Sequence, residues 1–471
     1  MPLIKIIPQN PFITARESKF IKNGSQFSFL GINAYYLQHE AASPDRRYII
    51  DEVFAFAQNI GIKVIRTWAF NNSEIINPSV ISSKPDEYRE EGLISLDYVV
   101  AKAKEYDLLV ILCLANNEPD YGGINQYVAW ANKYLASANQ KFEHNHFFTN
   151  ESIITWYYLH LYTLLNRKNT FTGVAYKDDP AIFSFELINE ASNPGFSFDN
   201  IYLWYDKVSN YFRSIDSNHM LATGEIGYDI DNVEYSDIKS FYNNANFLFN
   251  GSKGTSFKVN SMLPQISYTS IHSYPESWNM NYKSGITWIR DHSNISENLS
   301  KPMLLGEFGV KNNKVEVYKE WLQEIKKTKC QSAIVWHYVH KDILNMDGYG
   351  FNEFNSPGLI EMLTDFIKDL NKSISKISAL NPEQAELNQN YPNPVIERTT
   401  ITYSLPKDDF VSIVLYNSFG ELVQEIDKGY KQKGNHEITI SLNAELLPSG
   451  IYIYTLKTSD KILSKKMVFL K

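Results

Sequence analysis

Two glutamates carry the chemistry that is easiest to read from this 471-residue chain. Glu190 closes the run AIFSFELINE (181–190), and Glu307 lies in PMLLGEFG (302–309). No set of metal ligands accompanies them. A carboxyl pair without metal ligands fits glycoside hydrolysis, in which one group protonates the leaving oxygen and the other attacks the sugar or activates water. Arg66, in KVIRTWAF (63–70), could hold one glutamate ionised, because a nearby positive charge lowers a carboxyl pKa. The other glutamate needs a raised pKa, supplied by burial or by a nearby anion. Asn116, Asn189, His272, Tyr274, Trp68 and Trp336 sit at or near the ends of similar apolar runs. Aromatic residues make up 14% of the chain, and flat rings suit the C–H faces of sugars.

Other polar residues have plainer readings. Glu186 falls on the same strand face as Glu190 and reads as a structural group inside the fold. Glu225 is a rival carboxylate. His144 and His146 have the spacing of a metal pair, but no third ligand is in view, so they read as a solvated loop. The carboxyl chemistry calls for neither a metal nor an organic cofactor.

Eight apolar runs must position these groups: 27–33, 63–70, 108–117, 181–190, 219–227, 268–275, 302–309 and 332–340. Continuous runs of this length read as strands buried on both faces. Amphipathic stretches lie between them. The stretch 45–61 ends at Gly61 as a C-cap, and SLDYVVAKAKEYD (95–107) opens on a Ser N-cap. This order predicts an α/β fold, a (β/α)8 TIM barrel over residues 1–375, with catalytic groups at the C-terminal ends of its strands. Segments 117–149 and 228–267 read as large functional insertions. Residues 376–390 read as a linker, and short alternating strands over 391–471 predict a small all-β, Ig-like sandwich.

Composition narrows the function classes. A formal charge of −8 with no basic cluster argues against nucleic acid as a partner. No apolar run reaches the ~18 residues of a transmembrane helix. Two cysteines, Cys113 and Cys330, exclude a disulfide framework and a Cys-based zinc site. The start, MPLIKIIPQNPF, lacks the apolar stretch of a recognisable signal peptide.

The motifs also resemble a known family. FLGINAYYLQ, IRTWAFNNS, GGINQYVAWA, NTFTGVAYKDDPAIFSFELINE, SIHSYPESW and LLGEFG, within about residues 10–375, resemble glycoside hydrolase family 5 in the order and spacing of its fungal and plant endo-β-1,4-mannanases. The resemblance implies Glu190 as acid/base and Glu307 as nucleophile. It implies Arg66 as the arginine that orients the nucleophile, and Asn189 as the ligand of the sugar 2-hydroxyl. His272 and Tyr274 match the pair that bonds the catalytic carboxyls, Trp336 the floor of the −1 subsite, and Asn116 a polar strand-three position. Trp68, Tyr36 and Trp278 match sugar-contact aromatics. The implied activity is retaining hydrolysis of β-mannan with no cofactor. The alternatives are a β-glucan endohydrolase, an exo-mannosidase or a transglycosylase of the same chemistry, or a non-catalytic glycan-binding surface protein.

Two departures stand out. The usual NEPR reads NEAS here, and strand eight reads VWHY, without the usual polar neighbour of the tryptophan. Beyond the barrel, LNQNYPNP, YSLP, YNSFGELV, LPSGIYIYTL and KKMVFLK resemble the type A sorting domain of the type IX secretion system. That implies outer-membrane secretion machinery as a partner, and a secreted or surface-attached product.

Overall fold

The computed structural model describes residues 3–7, 11–23, 25–378 and 384–471, which form two compact units. The larger is an α/β barrel. Its strands are β1 (Leu30–Asn33), β2 (Val64–Trp68), β3 (Leu109–Cys113), β4 (Ile182–Glu186), β5 (Met220–Ala222), β6 (Thr269–Ser273), β7 (Met303–Phe308) and β8 (Ala333–Val335). Every residue in all eight is buried, as expected for strands covered by helices outside and side chains within. The sheet runs β5-β4-β3-β2-β1-β8-β7-β6 with parallel pairing throughout. Beside β5 and β6 the backbone bonds Ser267 N to Leu221 O (2.7 Å) and His272 N to Ile226 O (3.0 Å) close the ring. Gly31 allows β1 and β2 to approach, since a Cβ there would lie 2.6 Å from Val64 O.

Helices follow the strands. Gly61, at φ 90°, caps Arg47–Ile60 as the sequence predicts. The next helix differs. It begins at Glu90, five residues before Ser95, and Ser95 is buried inside it, bonding Gly92 O (2.7 Å) and Gln38 Nε2 (2.8 Å). Tertiary contacts give that hydroxyl partners that local pattern does not show.

At the N-terminal end of the barrel, the hairpin Thr14–Arg16/Lys19–Lys22 inserts Phe20. It packs with Ile13, Phe29, Phe183 and Tyr268. Phe20 meets the Phe183 and Tyr268 rings edge-on at 5.0 and 5.3 Å.

Apart from the end of the last helix, the second unit is β. One sheet holds β9 (Glu386–Leu387), β10 (Arg398–Leu405) and β13 (Gly434–Leu442). The other holds β11 (Asp409–Asn417), β12 (Leu422–Lys431), β14 (Gly450–Lys457) and β15 (Ile462–Phe469). Alternate residues such as Val411, Ile413, Leu415, Tyr454 and Leu456 fill the core. The chain's early strand Ile4–Ile7 pairs antiparallel with β13 in this unit, although the sequence assigns residues 1–375 to the barrel. A short apolar strand carries no mark of its partner, and here it covers a sheet edge that would otherwise stay open. The helix Pro357–Ser378 and strand β9 also extend into the expected linker 376–390, of which residues 379–383 lie outside the described residues.

Candidate active site

Arg66 organises the C-terminal mouth of the barrel. It points inward from β2 and is fully buried. Its Nε donates to Glu186 Oε2 (2.7 Å), one terminal nitrogen to Glu307 Oε1 (2.5 Å) and Asn33 Oδ1 (3.1 Å), and the other to Asn189 Oδ1 (2.8 Å). A buried guanidinium is tolerable only when its donors are satisfied in this way. Asn189 in turn donates to Asn116 Oδ1 (3.1 Å). Glu186 is therefore the interior structural partner that the strand period suggests.

The two candidate glutamates are held differently. Glu307 accepts from Arg66 on one oxygen and from Tyr274 OH on the other (2.6 Å). Burial, with Glu190 beside it, pushes its carboxyl up, while Arg66 and the Tyr274 bond oppose that shift. Arg66 and Tyr274 donate to one oxygen each, contacts that favour the charged form. Glu190 follows the end of β4 with its backbone in the left-handed region (φ 58°), its N–H donating to Gly224 O (2.8 Å). Such a conformation costs a non-glycine residue about 1–3 kcal/mol and is typical of functional sites. Burial raises the Glu190 carboxyl to about 7, with Arg66 opposing. His272 Nδ1 lies 2.6 Å from Glu190 Oε1 and 3.6 Å from Glu307 Oε2. Burial lowers this imidazole to about 4, so it is neutral near neutral pH. Gly306 makes room for it, since a Cβ there would stand 2.6 Å from Ser270 Oγ and 3.4 Å from the His272 ring.

One oxygen of each glutamate and a nitrogen of His272 lie within 4.8 Å of one another. Three such donors could in principle face a cation. Their nearest partners are instead each other, Arg66 and Tyr274.

The site opens into a groove of about 1280 Å³. Asn116, Asn189, Tyr274, Trp68, Trp278 and Trp336 line it with both glutamates. Tyr36 does not. It is 2% exposed, and its hydroxyl is tied to the Tyr338 carbonyl (3.1 Å) and the His340 N–H (3.1 Å). The ring in the groove is its neighbour Tyr35, stacked on Trp336 at 5.4 Å and 11°. The alternation of side chains available in the sequence points to it, because Tyr35 is two residues from the inward-facing Asn33. Asp347 was also missed. It accepts from Trp336 Nε1 (2.8 Å) and bonds His337 Nε2 (3.2 Å). The loop thus supplies the polar partner that VWHY lacks.

Residues 10–354 match the family described as GH family 5 beta-mannosidase-like. The chain belongs to glycoside hydrolase family 5. Among its relatives, mannan endo-1,4-beta-mannosidase 5 of Solanum lycopersicum is 33% identical over 307 residues, 63% of this chain and 70% of that protein. Mannan endo-1,4-beta-mannosidase 1 of Arabidopsis thaliana is 35% identical over 311 residues, 63% of this chain and 71% of that one. The structure of the endo-1,4-beta-D-mannanase from Thermotoga petrophila RKU-1 superposes with a TM-score of 0.66 at 28% identity, covering 73% of this chain and 99% of that one. Residues 389–470 match the secretion system C-terminal sorting domain.

Both insertions of this family 5 hydrolase wall its groove. Segment 117–149 contributes Glu118 to Gly122 and Gln126, and segment 228–267 contributes Tyr228, Phe247 and Lys253. The NEAS loop is braced from the first. Asn117 exchanges bonds with Ser192 (3.2 and 3.3 Å), and His144 Nε2 bonds Ser192 O (2.8 Å). His144 is thus a brace rather than a solvated loop residue, while His146 turns back to the Glu143 N–H (2.9 Å). Glu225 lies outside the groove lining. It is buried and accepts from Asn260 (2.6 Å), Thr255 (2.9 Å) and Thr223 (3.3 Å), anchoring the second insertion.

Proposed function

We propose that this hydrolase is an exported endo-β-1,4-mannanase acting with retention. The observation that carries the reading is the asymmetry of the close carboxyl pair. Oxygens of Glu190 and Glu307 approach within 4.8 Å, which favours the ~5–5.5 Å carboxyl separation of retaining enzymes over the ~6.5–9.5 Å of inverting ones. Glu307, ionised between Arg66 and Tyr274, attacks the anomeric carbon as Glu190 gives its proton to the leaving oxygen. The glycosidic bond breaks and a covalent glycosyl–Glu307 ester forms. Glu190, now a carboxylate, removes a proton from water, whose oxygen displaces Glu307 and regenerates both groups. Trp336 stacked on Tyr35, with Trp68 tilted against Tyr35, gives the sugar an aromatic wall at this point.

The relatives' named activity on mannan supports the substrate. A cavity of about 1280 Å³ exceeds the ~300–1,000 Å³ of small-molecule pockets and suits internal cleavage of a chain of sugars. The sorting-domain match supports a secreted or surface-attached enzyme. Reducing-sugar release from mannan, galactomannan, glucomannan and carboxymethylcellulose tests the substrate, with Glu307→Ala as control. Release from the mannans, abolished in the variant, is expected, and release from cellulose alone overturns the substrate. Proton NMR of early product should show the β anomer first, and the α anomer appearing first would falsify retention.

A further inference from the structure

We propose that Lys253, seated over Tyr228 and Phe247, is a specificity residue on the leaving-group side of the groove, where its ammonium donates to hydroxyls of a sugar beyond the first leaving unit. This rests on the mannanase reading above. Among the described residues lining the groove, Lys253 is the one lysine or arginine, against the carboxylates Glu118, Asp120, Glu190, Glu307 and Asp347. An anionic polymer would meet net negative charge there, so the ammonium suits neutral hydroxyls. Its Nζ lies 5.3 Å from both ring centroids, and no carboxylate pairs with it among the described residues. The two rings orient the ammonium without consuming its three N–H donors.

The backbone that carries Lys253 is fixed. Its carbonyl accepts from Asn193 N–H (2.8 Å), three residues after Glu190. Gly254, at φ 62°, lies so close to that loop that a Cβ would stand 2.1 Å from Asn193 O. Thr255 and Asn260 then tie the segment to buried Glu225. That places Lys253 on the wall next to the acid. Glu190 protonates the leaving oxygen, so the sugars that depart lie along this wall. The loop Ala191-Ser192-Asn193 brings no charged side chain of its own.

Lys253→Met keeps the stem and removes the ammonium. The test compares mannohexaose, which spans the wall, with para-nitrophenyl β-mannobioside, whose leaving group is one ring. Losing a charged hydrogen bond should lower kcat/KM on mannohexaose about tenfold, mainly through KM, with no more than about a twofold loss on the aryl substrate. Lys253→Arg should recover part of the loss, and the cleavage pattern of mannohexaose should shift. Equal losses on both substrates, or none on mannohexaose, overturn the proposal. A wild type inactive on both would instead refute the mannanase reading.

Discussion

The two ends of the barrel interior are equally buried and built by opposite rules. At the N-terminal end Phe20, Phe29, Phe183 and Ile13 pack by shape, with no buried charge among them. At the C-terminal end Arg66, Glu186, Glu307, Asn189 and His272 are as deeply buried and are held by directed bonds. Tyr268 stands on the boundary, with its ring in the aromatic cluster and its hydroxyl on Ser184 (2.8 Å) and Glu186 (3.3 Å). Apolar packing is non-directional and tolerates change at a cost in stability. A buried charge network tolerates little, because each lost partner strands another charge. The fold keeps such a network where the proposed reaction calls for one carboxyl charged and its neighbour protonated.

The sharpest way to break this contrast is Glu307→Gln. Shape is nearly kept and the proposed nucleophile is gone, so kcat should fall about 10⁴-fold or more while thermal unfolding shifts by only a few degrees. An unfolding midpoint that collapses along with activity would mean that Glu307 is mainly structural. Arg66→Met comes next. It strands Glu186 and Glu307 together, and should cost about 3–5 kcal/mol in denaturant titration besides at least ~10²-fold in kcat. Phe20→Ala is the mirror experiment. It should also cost about 3–5 kcal/mol through the cavity it leaves, yet hold kcat within about twofold at temperatures where the protein stays folded. A large kcat loss in folded Phe20→Ala would show that the two ends are coupled rather than independent.

How much of this was legible in the sequence follows the same division. All eight strands were, because each falls inside one of the eight runs read from the sequence, even β6 (TSIHS) with its single apolar residue. Their order places Glu190, Glu307, Arg66 and His272 at one mouth. What escaped depends on contacts across the fold. Tyr36 and Tyr35 are adjacent aromatics, and only the inward direction of Asn33 separates buried anchor from groove wall. Ser95 looked like a helix cap because its tertiary partner Gln38 lies 57 residues away. Asp347 sits in a loop 11 residues after Trp336, and no periodicity links the two. Ile4–Ile7 joined the distant sandwich because edge pairing is set by what is left uncovered.

The charge asymmetry within the upper network can be sharpened by pH. Glu190 must be protonated to act as acid, and its carboxyl is raised to about 7. kcat/KM should therefore fall as pH rises through about 7, approaching tenfold per unit beyond it. The acid limb should come from protonation of Glu307. A profile still rising at pH 8.5 would sink the assignment of Glu190 as the acid.

The smallest expected effect tests whether the directed rule extends to the aromatic floor. Asp347 accepts from the Trp336 indole, from the Tyr349 N–H (2.8 Å) and from His337. Burial opposes its charge, but the bonds from His337, Trp336 and Tyr349 outweigh it and hold the carboxyl well below its usual range. Asp347→Asn keeps one acceptor and presents donors where the indole or imidazole N–H now points. Trp336 should then lose its fixed stacking on Tyr35, and KM for mannohexaose should rise about three- to tenfold. kcat should change less, because a floor that packs on the ring binds ground state and transition state nearly alike. A fall in kcat with KM unchanged would point to an electrostatic role for the Asp347 charge at the reacting centre, and the floor would then belong with the packed end of the barrel rather than with the bonded one.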